Sequence, residues 1–316
     1  MTSITATTPI VVTPNALTSS MIGTLTADQA NLATVEQQVS TGNQLNVASD
    51  NPAAAADVLQ LQGSLTRANQ YSANAQDGIG WLSLGNSTVN SVLSVIQSVK
   101  STVEGVSGST LTNDPATISS IAQQVQSALQ QLTNLANTQY ENGQPLFAGT
   151  GNSTAAYDAN GNYLGNAVPP TRTVAPGTQV AVAVTGPQVF GSGTTGLLGT
   201  GQGGSPVGVL QQIVNDLKTG TSASISNVEG TDLTNLSNAL GTAETAAGVL
   251  GANEQSVQGF STQATSTVAS LQQELGNVQD TNMAQAITSL QLQQVAYQSA
   301  LYATSQLSSD SLVKYL

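Results

Sequence analysis

The chain has 316 residues, only 7% of them charged, with a net charge of −12. It contains neither Cys nor His, which excludes thiol nucleophiles, Ser-His-Asp triads, zinc or haem held by those side chains, and disulfides. The five basic residues, Arg67, Lys100, Arg172, Lys218 and Lys314, are scattered, so the sequence implies neither a nucleic-acid partner nor binding to an anionic membrane.

Aromatic residues make up 3% of the chain, and Ser, Thr, Asn, Gln, Ala and Gly fill the space. With so little large apolar mass per residue, stability has to come from long contacts or from neighbouring subunits. The N-terminal stretch has no positive segment followed by a long apolar one, so export by an ordinary cleaved signal peptide is not expected. The longest strand-like apolar run, residues 180–184, is far too short to span a bilayer. The lack of Cys suits life outside the cell.

Residues 1–14, Thr-rich with two prolines, read as a mobile tail. A helical stripe then begins at Leu17 and runs through Met21, Leu25, Leu32, Val35 and Val39, interrupted by Asp28. Gly42 is placed to end it, and residues 44–49 read as an extended connector. Asn51-Pro52 followed by four alanines starts a second helix carrying Leu59, Leu61 and Leu65. Its later half holds Leu82, Val89, Val92, Ile96, Val99, Val103 and Val106, with Trp81 as a core anchor beside that seam. Gly78, Gly80 and Gly85 predict a kink or break in the middle.

Residues 105–112 read as a turn, and Asp114-Pro115 starts a third helix with Ile118, Ile121, Val125, Ala128, Leu132 and Leu135 on one face, ending near Asn142-Gly143. Residues 145–150 read as a short strand. From 151 to 204 the texture turns to Gly, Thr, Pro and Val, with an Asn160-Gly161 hairpin signal and alternation over 179–185, which predicts a small β-rich insert. Helical texture resumes at Val207, stops at Gly220, and residues 219–231 read as a loop.

From 233 to 278 the pattern is at its strongest. Leu233, Leu236, Leu240, Ala243, Ala247, Leu250, Glu254, Val257, Ser261, Ala264, Val268, Leu271, Leu275 and Val278 alternate by three and four, with Glu254 and Ser261 breaking the apolar rule. That spacing predicts one helix of about 70 Å packed lengthwise on others. The phase breaks near residue 280, where Thr281 or Asn282 can cap a last helix carrying Ile287, Leu290, Tyr297, Leu301, Leu312 and Leu316. The fold expected is mainly α: an elongated rod of long coiled-coil-like helices from both chain ends, with a small β-rich domain inserted in the middle.

Two stretches imitate binding loops. Asp158 to Asn162 resembles the opening of a calcium loop, but its glycine falls at position 4 and Pro169 stands where a bidentate Glu belongs, so a hairpin is preferred. The Gly199–Ser205 run has no following Lys and no clean leading strand, so it reads as a hinge rather than a phosphate loop. The carboxylates are thinly spread, and Asp50 and Asp114 are accounted for at helix starts. No catalytic, metal or cofactor site follows from the sequence.

Several of these stretches resemble a known family. Ser40-Thr41-Gly42-Asn43-Gln44-Leu45-Asn46-Val47-Ala48-Ser49-Asp50-Asn51-Pro52-Ala53-Ala54-Ala55 resembles the signature of the flagellin superfamily, and Pro52 with its alanine run is similar to the hook-associated protein 3 branch, which forms the hook–filament junction. Residues 146–150, Asp280 to Leu290, and the ending Ser311 to Leu316 resemble that branch as well. The uncharged lead through Pro14 departs from the family's short Arg-containing start.

The resemblance implies five segments: 1–45 and 280–316 as a terminal coiled-coil layer, 46–150 and 205–279 as a helical rod, and 151–204 as the β-rich insert. It implies a structural protein of the bacterial flagellum, not an enzyme. It would form a homo-oligomeric ring and join the other hook-associated junction protein to flagellin. Assembly would run through Met21, Leu25, Leu32, Val35, Val39, Ile287, Leu290, Tyr297, Leu301, Leu312 and Leu316. A cytoplasmic export chaperone and export through the flagellar type III pathway are also implied. Flagellin itself, the filament subunit, stays open as the alternative.

Overall fold

A computed structural model describes residues 14–107 and 114–313 of the chain. The expected tail over 1–14 and turn over 105–112 lie largely outside those residues, as do the side chains of Val106 and Leu312 and all of Leu316. The described residues are mostly helical: α1 (Pro14–Thr41), α2 (Pro52–Ser107), α3 (Pro115–Ala136), α4 (Gly186–Phe190), α5 (Val209–Thr219), α6 (Ser222–Asn227), α7 (Leu233–Gln279) and α8 (Met283–Val313). The described sheet is a single antiparallel pair, β1 (Thr171–Ala175) and β2 (Thr178–Ala181). Contacts divide the chain into two compact units, the described parts of Met1–Thr66 with Ala269–Leu316, and Arg67–Val268.

The larger unit is built on seams that the sequence spells out. Ala68, Ala75, Leu82, Val89, Val92, Ile96, Val99 and Val103 are buried along α2. Ile118, Ala122, Val125, Leu129, Leu132 and Ala136 of α3 and Leu236, Ala243, Leu250 and Val257 of α7 belong to the same core. Asp114 caps α3, its Oδ1 accepting from the Ala116 amide at 3.1 Å, and Pro115 follows in the first turn. Thr117 Oγ1 donates to the other carboxylate oxygen, and these bonds hold the Asp114 carboxyl below its usual range. Glu254, the acid inside the α7 stripe, is half-buried and accepts from Asn86 Nδ2 of α2 at 2.5 Å, so the polar intruder has a partner.

α2 runs without the break expected at its glycines, because they are close-packing positions. A Cβ on Gly80 would lie 2.5 Å from the Tyr140 hydroxyl, and one on Gly78 would lie 2.9 Å from Val182. Trp81 is 3% exposed, packs on Tyr140 with ring centroids 4.7 Å apart, and lies under Arg172, which bonds Asp77 at 2.6 Å. It anchors the core as the sequence implied.

Residues 151–204 hold less strand than their alternation suggests. β1 and β2 together cover nine residues in five- and four-residue strands, and the rest is turns and short helices. Residues 145–150 do not form a strand either. Leu146, Phe147 and Ala148 are buried, and their backbones bond singly to three different segments, at Thr138, Gly186 and Asn166, beside an isolated bridge between Gln139 and Pro145, so no ladder forms. Side chains hold them as well, with Phe147 edge-on to Phe190 at 5.5 Å and Phe190 on Tyr157 at 5.6 Å. α3 stops at Ala136, short of Asn142-Gly143, which lie in a separate short 3₁₀ turn, Glu141–Gly143. The stretch read as a loop over 219–231 is instead α6 followed by a π-turn, Val228–Asp232, leading straight into α7.

Candidate assembly interface

The smaller unit holds the two stripes that the sequence assigned to assembly. The α1 side chains at 21, 25, 28, 32, 35 and 39 are half-buried and the intervening residues mostly exposed, the 3,4 spacing of a helix covered on one face. Asp28 stands within that stripe. α8 packs along α1 through Ala286, Leu290, Gln293, Tyr297, Ala300 and Thr304, which recur at the same spacing.

The joint fixes their register. Gly42 takes φ +73° after α1, with its amide donating to the Gln38 carbonyl at 2.9 Å. The Gln44 amide then donates to the Gln279 carbonyl at 2.7 Å, and the Thr281 amide to the Gly42 carbonyl at 2.8 Å. Since α1 enters this joint where α8 leaves it, the two helices run antiparallel. Asn282 caps α8, its Oδ1 accepting from the Gln285 amide at 3.3 Å. The connector over 44–49 is turned rather than extended, because Asp50 Oδ2 accepts the amides of both Asn46 and Val47 at 3.1 and 3.0 Å. Asp50 thus holds the connector, while Asn51 Oδ1 caps α2 on the Ala54 amide at 3.1 Å.

Met21, Leu25, Leu32, Val35, Val39, Leu290 and Tyr297 lie half-buried in the α1–α8 seam. Ile287 and Leu301 flank that seam with part of each side chain turned outward, and they stand 44% and 43% exposed. Met283, Leu292, Val295 and Tyr302 also face outward, Leu292 and Tyr302 at 73% exposure, and Ile22 does so on α1. These outward residues were not singled out by periodicity, yet a signal for them exists. No Asp, Glu, Lys or Arg occurs between 281 and 309, so α8 has no charged face to turn to water.

The two loops weighed as binding loops use their polar groups internally. Asp158 Oδ1 accepts the amides of Asn160 and Asn162, both at 2.8 Å, and Oδ2 accepts Asn162 Nδ2 at 2.8 Å, closing a turn with Gly161 at φ +79°. Those bonds hold the Asp158 carboxyl below its usual range. Leu198 comes so close to Gly161 that no Cβ fits there. In the Gly-rich run, Ser205 Oγ accepts the amides of Thr200 and Gly201, both at 3.1 Å, so those two donors are turned inward onto the loop itself. Among the described residues, no three acidic side chains converge on one point, and no helix is long and apolar enough to cross a membrane.

Residues 12–152 match the bacterial flagellin N-terminal helical region. The chain is 26% identical over 299 residues to flagellar hook-associated protein 3 of Escherichia coli (strain K12), covering 91% of this chain and 94% of that one. Against flagellar hook-associated protein 3 of Salmonella typhimurium it is 30% identical over 172 residues, about half of each chain at 54%. Its fold matches a putative flagellar hook-associated protein from Vibrio parahaemolyticus with a TM-score of 0.63 and 20% identity, over 73% of this chain and all of that one.

Proposed function

We propose that this chain, a flagellin-like structural protein of the bacterial flagellum, is a junction subunit that joins the hook side of the organelle to the flagellin filament. The observation that carries the reading is α8, free of charge from its start through residue 309, whose apolar residues extend beyond the face that α1 covers. An apolar surface of that kind on a soluble subunit marks a place for other chains. Copies of the same chain, arranged head to tail around a ring, bury it and leave one end for the hook-side junction protein and the other for flagellin.

In this reading, residues 1–45 and 280–316 form the inner layer of the ring, 46–150 and 205–279 a rod outside it, and 151–204 an outward insert. Met21, Leu25, Leu32, Val35, Val39, Leu290 and Tyr297 pair the two terminal helices, and the outward residues of α8 meet neighbouring subunits, with Ile287 and Leu301 among them. A cytoplasmic chaperone covers the same apolar surface before export through the flagellar type III channel. The role is structural rather than catalytic.

Gold-labelled antibody on intact flagella tests the assignment. A single narrow band between hook and filament is the expected result. Label along the whole filament identifies a flagellin instead, and no label on flagella overturns both.

A further inference from the structure

From residue 225 to residue 243, through the end of α6, the π-turn and the start of α7, the buried positions are Ile225, Val228, Asp232, Leu236, Ala239 and Ala243. The two successive steps of four, 228 to 232 to 236, fit one face because the π-turn has a wider pitch than an α-helix. Asp232 therefore occupies a core position where the pattern calls for an aliphatic residue. It is 2% exposed, and its Oδ2 has no hydrogen-bond partner. A buried carboxylate in that state is costly unless something neutralises it.

The neighbour facing it is a second acid. Asp216, 9% exposed on α5, lies close enough to act on Asp232 directly. Its Oδ2 accepts from Gln212 Nε2, one turn earlier, at 3.0 Å. Both acids line a cavity of about 360 Å³ that also presents Thr195, Gln212, Asn227 and Asn235, and no Lys or Arg lines it. Two buried carboxylates, neutral oxygen-bearing side chains and no basic residue form the ligand chemistry of a hard divalent cation.

We propose that Asp216 and Asp232 anchor a calcium-class cation site in this cavity, with neutral side-chain oxygens completing the shell. Calcium fits better than magnesium, because it accepts irregular sets of mixed charged and neutral oxygens, whereas magnesium demands near-octahedral geometry. Two carboxylates balance its charge. Without a cation, burial and the facing Asp216 push the Asp232 carboxyl up to about 7, so a proton competes for the same place. The site lies within the Arg67–Val268 unit and does not depend on the junction reading.

The test uses the full chain, stripped with chelator and melted at about pH 8 in matched ionic strength with NaCl, MgCl2 or CaCl2 at about 5 mM, above the dissociation constants typical of weak calcium sites. Calcium is expected to raise the melting temperature by about 5 °C and magnesium by much less. Asp232→Asn keeps the shape and should lose the calcium response; Asp216→Asn serves if that variant does not fold. Titration calorimetry should give one calcium per chain. A calcium response absent from the wild type, or equal in the Asn variants, overturns the proposal.

Discussion

Replacing Leu292 and Val295 together by Asp separates the surface of α8 that folds the subunit from the surface that assembles it. In the isolated subunit these side chains are 73% and 63% exposed, so most of their apolar area is already in water. Losing it costs little, and the lower helix propensity of Asp adds about 0.5 kcal/mol at each position. In a ring the arithmetic differs. Burying a whole Leu or Val is worth about 1.5–3 kcal/mol, so the two exposed fractions forfeit roughly 2–4 kcal/mol together. Desolvating two carboxylates adds several kcal/mol more. The sum corresponds to a loss of at least about a thousandfold in the equilibrium for adding one subunit, since every 1.4 kcal/mol is a factor of ten. The assay has two parts: circular-dichroism melts of the purified variant, and immunoblots of sheared flagella from cells carrying it as their only copy. A melt within a few degrees of wild type with no protein in the flagella is the expected pair. Normal incorporation would refute the outward-face reading, and a collapsed melt would show that these residues support the fold of the subunit itself.

Gly80→Ala should lower stability by about 1–2 kcal/mol in urea melts despite the gain in helix propensity, because the added methyl meets the Tyr140 hydroxyl, and Trp81 pins that ring. Glu254→Ala should cost about 1 kcal/mol by stranding Asn86, whereas the double change Asn86→Leu and Glu254→Leu should be neutral or stabilising, a difference that a double-mutant cycle measures. In chelator, the acid Asp232 makes stability fall as pH rises from about 4 to about 7: the folded chain keeps a proton there that the unfolded chain releases. Below that window the slope from this group vanishes because both states hold the proton, and above it because both have lost it. Asp232→Asn should remove this part of the pH slope in urea melts at pH 5 and 8.

The helical seams were legible because their cause is local. A helix covered along one face repeats every three or four residues, and α2, α3 and α7 bury or half-bury most of the residues that the pattern names, with Leu59 left 69% exposed. Helix starts were legible for the same reason: Asp114-Pro115, Asn51-Pro52 and Asn282 satisfy free amides from within a few residues. The connector over 44–49 was misread although Asp50 turns it from three and four residues away, but other failures depend on residues far apart in sequence. Gly80 reads as a helix breaker until Tyr140, sixty positions later, is known to lie against it. Residues 145–150 look like a strand because they are apolar between turns, yet they are held by Phe190 and the aromatic side chains around it, not by a ladder.

The assembly helix is a different case. Periodicity finds a face that is covered, but α8 is apolar on more than one face, and a repeat cannot say which face belongs to the subunit and which to its neighbour. Leu290 and Tyr297 lie in the covered stripe while Ile287 and Leu301 stand at its edge, 44% and 43% exposed, although all four were drawn from one series. The deciding quantity is the width of a single partner: α1 covers one stripe of α8 and no more. The absence of charge across residues 281–309 is the complementary signal, because water would ordinarily hold charged residues on a face left open to it. Where one neighbour covers a stripe and no charge marks the rest, the remaining face is the one to test for a second partner.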